Sequence, residues 1–177
     1  MSVIPYVPRD VAEPRALVDA IRARRGGALL NLDRMLLHSP PFAAGWNAFL
    51  GAVRTGLDVP PKLRELAICT VAFLNDAEYE FFQHAPVFIA AGGTQAQCDA
   101  LRRAGTPAFD ATQFDADERA VIALTIEMTR NVDVTAATTD AARRALGSDR
   151  HLVEIVGVIA AYNMVSRFLV ALGVEPE

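Results

Sequence analysis

The sequence predicts an all-α protein built as a compact multi-helix bundle. No stretch sustains a period-two alternation of apolar and polar residues, and the β-branched residues fall inside three- and four-residue spacings. Helix start and stop signals recur at short intervals along the whole chain. Roughly eight or nine helices joined by short loops account for the length.

The elements follow in order. Residues 1–13, with Pro5 and Pro8, read as extended and poorly anchored. A helix is expected from Pro14 to Arg25, with proline in its first turn and Arg22, Arg24 and Arg25 near its negative end. Gly26-Gly27 stop it. Leu29 to Leu37 is a short apolar helix, and Ser39-Pro40-Pro41 opens another that runs through Trp46 to about Arg54. Pro60-Pro61 opens a helix ending near Leu74. Asn75-Asp76 reads as a break, with Asn75 capping the next helix and Glu78 completing a capping box. That helix runs from Asp76 to about Ala91 and stops at Gly92-Gly93.

Thr94-x-x-Gln97 is a capping box for a helix reaching Arg103, followed by a loop with Gly105, Pro107 and Phe109. Asp115-x-x-Glu118 caps a helix to about Asn131, and Thr135 to Leu146 is another. Ser148 begins the last and longest, which ends near Gly173. Residues 1–38 read as an N-terminal helical extension and residues 39–177 as one compact helical domain.

Composition narrows the function. A net charge of −4 argues against non-specific nucleic-acid binding. Lys62 is the only lysine, a compositional bias and not a binding signal. The longest apolar run, Ile155 to Leu172, is interrupted by Asn163, Ser166 and Arg167, which favours a buried core helix over a membrane span. The N-terminus shows no charged-then-apolar leader pattern. Cys69 and Cys98 form no CxxC pair, so a reduced, cytoplasmic protein is expected. Hydrophobic residues make up 52% of the chain, which points to apolar surface buried between subunits of a homo-oligomer.

The residues most suggestive of chemistry are Glu65 and His84. Glu65 lies about ten residues before the break and His84 about nine after it, roughly 14 Å along each helix at ~1.5 Å per residue. An antiparallel pair brings them level, a carboxylate beside an imidazole in an apolar setting, as acid/base chemistry requires. Taken alone, Glu65 is equally a solvated glutamate of an early helical turn, near the boundary of the buried face. His84 alone is an ordinary core histidine. Pro86 sets it apart, because a proline here kinks the helix and opens a cavity beside the imidazole, or ends and restarts the helix.

Glu80 shares a face with His84, and Tyr79 lies near it. Glu65, Glu80 and His84 do not reproduce the doubled Glu-x-x-His pattern of helical di-iron sites, so no metal and no cofactor is expected. Cys69 has apolar neighbours and reads as packing. Cys98 has Arg102 one turn on, which would lower its pKa. On the last helix Asn163 and Arg167 share a face. They bridge to another helix or subunit, or bind a substrate carboxylate.

The segment from Arg64 to Gln97, RELAICTVAFLNDAEYEFFQHAPVFIAAGGTQAQ, resembles the core of the carboxymuconolactone decarboxylase / alkylhydroperoxidase D-like superfamily. The closing YNMVSRFLVALGVE, from Tyr162 to Glu175, is similar to the last helix of its longer members. The resemblance implies the alkylhydroperoxidase D-like all-α fold and a homo-oligomer, a dimer, trimer or hexamer. It also implies that Glu65 and His84 match the family's proton-relay glutamate and histidine. The cysteine pair of the peroxidase branch falls on Ala77 and Glu80, with Tyr79 between them, so the relay is present and the redox centre absent. The decarboxylase branch fits better. It implies a cofactor-independent lyase acting on a small carboxylated lactone or related acid, with His84 as general acid/base, Glu65 orienting it, and Tyr79 or Glu80 relaying a proton. An isomerase or hydrolase on the same scaffold, or a non-enzymatic ligand-binding oligomer, remains open at this point; the thiol peroxidase has the least support.

Overall fold

The computed structural model describes residues 2–177; Met1, part of the stretch expected to be extended, lies outside the described residues. In chain order the helices are α1 (Arg15–Arg25), α2 (Asn31–Leu36), α3 (Pro40–Thr55), α4 (Pro61–Leu74), α5 (Glu78–Ala90), α6 (Gln95–Leu101), α7 (Ala116–Asn131), α8 (Ala136–Leu146) and α9 (Asp149–Leu172), with a 3-10 turn at Ala111–Gln113. No strand occurs among the described residues, so the all-α expectation holds.

Helix α4 is the axis of the bundle. It packs against α5, α6, α7 and α9, and every residue from Glu65 to Ala72 is buried. Such a helix has no solvent face, which is why its sequence reads apolar and small all round. Proline occupies its first turn, where the missing N–H has no intrahelical partner to lose. Helix α9 is long and apolar enough to cross a membrane by length and composition. It buries Ile155, Val158, Ile159, Tyr162, Val165 and Leu169 against the bundle, as a core helix does.

The main core runs from Val18, Ile21, Leu29 and Leu32 through Trp46 and Leu50 to Ile159 and Leu169, so α1 and α2 share one core with the remainder. A smaller cluster of Leu66, Cys69, Phe88, Cys98, Leu101, Phe114 and Ile122 fills the space between α4, α5, α6 and α7.

Two local expectations are corrected. The N-terminal stretch is anchored: the Val3 N–H donates to the Leu172 carbonyl at 3.0 Å, Arg34 Nε to the Val7 carbonyl at 2.7 Å, and the Glu175 N–H to the Tyr6 hydroxyl at 3.0 Å. Asn75 does not cap α5. It closes α4, its amide donates to Asn163 Oδ1 at 3.1 Å, and Asp76 turns the chain with φ 51° before Ala77 begins α5 without a side-chain cap. The turn lets α5 double back along α4 within three residues, and that packing prevails over the local capping signal.

The sole lysine has a structural role. Lys62 Nζ lies 2.6 Å from Glu118 Oε1, and Gln97 donates to Oε2 of the same buried carboxylate at 2.9 Å. The contact ties the first turn of α4 to α6 and α7. Lys62→Met should cost about 2 kcal/mol in urea unfolding, the value of a hydrogen bond to a charged group. At the end of α7, Val132 is 88% exposed and held at φ 65°, ψ −44°, a strained conformation for a β-branched residue. Val132→Gly should raise stability by about 1 kcal/mol, read as a higher urea midpoint at unchanged slope.

Candidate active site

Glu65 and His84 meet. Nδ1 of His84 lies 2.7 Å from Glu65 Oε2, and the other carboxylate oxygen accepts from Arg64 Nε at 3.2 Å. The helix-height argument placed the pair correctly. Burial is deeper than the sequence suggested: Glu65 is 2% exposed, not a boundary residue. Helix α5 continues unbroken through Pro86, so the break-and-restart alternative is excluded.

The electrostatics set the protonation states. Burial pushes the Glu65 carboxyl upward, but the His84 hydrogen bond and charge, joined by Arg64, outweigh it and hold the group below its ordinary range. Burial pushes the His84 imidazole down, and Glu65 offsets that only in part. Glu65 is therefore ionised at neutral pH and His84 neutral. The carboxylate can only accept, so Nδ1 carries the proton and the Nε2 lone pair is free.

That pair lines a cavity of about 270 Å³. Its polar wall includes Arg25, Arg54, Arg64, Tyr79, Glu80 and Gln83, and its apolar wall includes Leu30, Leu32, Val165 and Leu169. Arg54 Nε donates to the Tyr162 hydroxyl at 3.0 Å. The Tyr162 ring meets the imidazole edge-on, with centroids 4.9 Å apart at 87°, and so fixes its plane. Burial drives the Tyr162 phenol up to about 12, so it stays neutral.

Glu80 is 1% exposed; its Oε2 contacts Ser166 Oγ at 2.9 Å. Burial drives its pKa well above the ordinary carboxyl value, and Ser166 and Arg54 oppose this only in part. The Tyr79 hydroxyl donates to Glu177 Oε1 at 3.3 Å, and Gln83 donates to Glu177 Oε2 at 2.7 Å, so a carboxylate already stands at the edge of the cavity.

Other expected residues lie elsewhere. Asn163 and Arg167 are not among the cavity-lining residues. The Asn163 amide donates to Thr129 Oγ1 at 3.0 Å, its Oδ1 accepts from Asn75, and the exposed Arg167 donates to that same oxygen at 2.7 Å. Asn163 bridges α9 to its neighbours and Arg167 braces it within α9; neither lines the cavity, whose arginines are Arg25, Arg54 and Arg64. Cys69 is wholly buried, and burial pushes its thiol up. Cys98 is corrected: burial and Asp99 raise its thiol pKa against the pull of Arg102, whose guanidinium stacks over Phe73 and Phe81. No group of three His, Cys, Asp or Glu is placed to hold a metal ion among the described residues.

The sequence reading missed Arg25, Arg54, Arg64 and Tyr162 as site components. Arg25 looked like a helix-end cation, and Arg54 sits in the last turn of α3 for the same apparent reason. The available signal was the polar set on α9, where Tyr162 and Ser166 stand one turn apart in an apolar helix and require partners.

A buried carboxylate–imidazole pair and three arginines thus line one cavity on an all-α scaffold. Residues 40–114 match the profile of the Carboxymuconolactone decarboxylase family. Over 99% of this chain and 90% of theirs, the fold matches an uncharacterised peroxidase-related protein from Silicibacter sp. TM1040 at 18% identity and TM-score 0.80. A peroxidase-related protein from Ralstonia eutropha JMP134, described as an alkylhydroperoxidase AhpD core, matches over 99% of this chain and 92% of that one, at 17% identity and TM-score 0.82. A cysteine-to-alanine variant of the debrominase Bmp8, in complex with 2,3,4-tribromopyrrole, matches over 100% and 94%, at 16% identity and TM-score 0.77. The curated proteins gave no match. The family match over residues 40–114 and the shared fold agree with the resemblance read from the sequence, in which Ala77 and Glu80 stand at the cysteine-pair positions.

The pair also sets a pH dependence of stability. Glu65 has a folded pKa below its ordinary 4.5, and His84 one below its ordinary 6.5. Both contributions are present above those ordinary values and are lost as pH falls through the folded ones. Unfolding free energy should decline from pH 7 to pH 4, and Glu65→Gln should flatten the part of that slope below pH 5, as urea titrations at each pH would show.

Proposed function

We propose that the protein is a cofactor-independent acid–base enzyme of the decarboxylase type, acting on a small carboxylated lactone or related acid. The observation that carries the reading is the 2.7 Å Glu65–His84 contact in a cavity that Arg25, Arg54 and Arg64 also line. The arginines suit a carboxylate. The cavity volume, about 270 Å³, suits a small ligand.

In this reading the carbon–carboxylate bond breaks, carbon dioxide leaves, and the electron pair spreads into the adjoining carbonyl as an enolate. His84 Nε2 takes a proton from solvent and delivers it to the carbon that bore the carboxylate. Glu65 stabilises the transient imidazolium and keeps Nε2 turned to the substrate. A thiol peroxidase has no support at this site: neither Cys69 nor Cys98 lines the cavity, and burial disfavours both thiolates. A cytoplasmic homo-oligomer belongs to the same proposal, supported by the exposed Phe42, Phe49 and Phe82.

The test is carbon dioxide release from 4-carboxymuconolactone and a small panel of β-keto and lactone acids. Wild type should release it, and His84→Ala and Glu65→Gln should lose about 10²–10⁴-fold in rate with the fold intact. Release that survives His84→Ala overturns the role given to His84. No release from any compound by a folded protein would move the reading to an isomerase or hydrolase using the same pair, or to ligand binding.

A further inference from the structure

Ser166 Oγ lies 2.9 Å from Glu80 Oε2 and 2.8 Å from the Tyr162 carbonyl oxygen. A hydroxyl has one hydrogen to donate. If Ser166 gives it to the Tyr162 carbonyl, the contact with Glu80 needs a hydrogen from Glu80. An ionised Glu80 would place two acceptors against one donor in a buried position, where an unmet contact is costly. The other carboxyl oxygen, Oε1, is buried without a hydrogen-bond partner among the described residues. The side chain is 1% exposed and forms part of the cavity wall. A charged oxygen left in that state would cost far more than a neutral one.

We propose that Glu80 works as a neutral carboxylic acid whose Oε1 hydroxyl donates a hydrogen bond to the substrate oxygen on which negative charge develops, so that the cavity takes carbonyl compounds reacting through an enolate. The proposal rests on the acid–base reading of Glu65 and His84 and deepens it. The upward drive that burial exerts on this carboxyl agrees with the proton count. Ser166 makes the acid adaptable. With the proton on Oε2, Glu80 donates to Ser166 and Ser166 to the Tyr162 carbonyl. With the proton on Oε1, Ser166 turns its own hydrogen to Oε2, and the Oε1 hydroxyl is left to meet a ligand. Because Oε1 is itself buried, the exchange needs a turn of the Glu80 carboxyl toward the cavity besides the movement of protons. No proton is lost to the substrate; the bond strengthens as charge builds on the carbonyl oxygen, which is where a donor accelerates the reaction.

Infrared difference spectra between wild type and Glu80→Gln at pH 7 test the protonation state. The carbonyl stretch of a protonated carboxyl should be present in wild type, absent in Glu80→Gln, and shifted but retained in Ser166→Ala. Carbon dioxide release from 4-carboxymuconolactone tests the donor. The glutamine amide can still donate, so Glu80→Gln should lose about tenfold, whereas Glu80→Ala should lose about 10²–10³-fold, mainly in kcat. A missing carboxylic-acid band in wild type, or a Glu80→Gln variant as impaired as Glu80→Ala, overturns the proposal. If wild type turns over neither this compound nor any other of the panel, the decarboxylase reading falls, and the infrared band still decides whether Glu80 is a neutral acid.

Discussion

The site depends on one constraint: a carboxylate placed inside an apolar bundle must be met by partners on the elements around it. Glu65 sits on a helix with no solvent face, and an isolated buried carboxylate there would be several kcal/mol uphill. Arg64 satisfies one oxygen from the same helix, and His84 satisfies the other from the next. The second partner fixes the pairing of α4 and α5, because a shift of one helical residue would move the ring about 1.5 Å along the axis and lose the contact. The edge-on Tyr162 ring carries the constraint to α9, and the Arg54–Tyr162 hydrogen bond carries it to α3.

The same cavity holds two carboxyl groups in opposite states, and the difference comes from their partners. Glu65 faces a guanidinium and an imidazole and gives up its proton readily. Glu80 faces a serine hydroxyl, with Arg54 acting only through space, and keeps its proton. Pushing the pKa values of neighbouring groups apart is how one environment supplies both a base and a donor at neutral pH. In the proposed chemistry Glu65 directs His84 as the base, and Glu80 supplies the neutral donor. Neither role needs a thiol, which agrees with Ala77 and Glu80 standing where a cysteine pair would be.

Much of this was legible in the sequence because it is local. The helix boundaries follow from Pro60-Pro61, the Thr94 and Asp115 capping boxes and Gly26-Gly27, all signals within one turn of the residue they control. The Glu65–His84 contact was legible because two helices joined by a two-residue break must run antiparallel, so counting outward measures height. The rest of the site was not, because its partners are distant in sequence. Arg25 and Tyr162 reach the same place from opposite ends of the chain, and no periodicity reports that. Asn163 and Arg167 left bridging and binding open for the complementary reason: polar residues in an apolar helix announce that they need partners, but not which. Ser166, one turn from Tyr162, met Glu80 at the cavity, whereas Asn163 met Asn75 and Thr129 beside it.

The segment that matches the family and the completed cavity do not coincide, and this bears on what the match can say about chemistry. Residues 40–114 include Glu65, Glu80, His84, Arg54 and Arg64. Arg25, Leu30 and Leu32 come from before that segment, and Val165 and Leu169 from after it, as does the tyrosine that holds the imidazole plane. The relay therefore belongs to the shared core, while much of the apolar wall and one of the cavity's cations belong to flanking helices. Those flanks decide the size and charge of what can sit beside His84. The Glu65–His84 pair can persist while the surrounding wall changes, so the family match bears on the proposed acid–base chemistry more than on the identity of a substrate. In this chain the wall is cationic near the Glu65–His84 pair and apolar beyond it, which is what the proposed small carboxylated substrate requires.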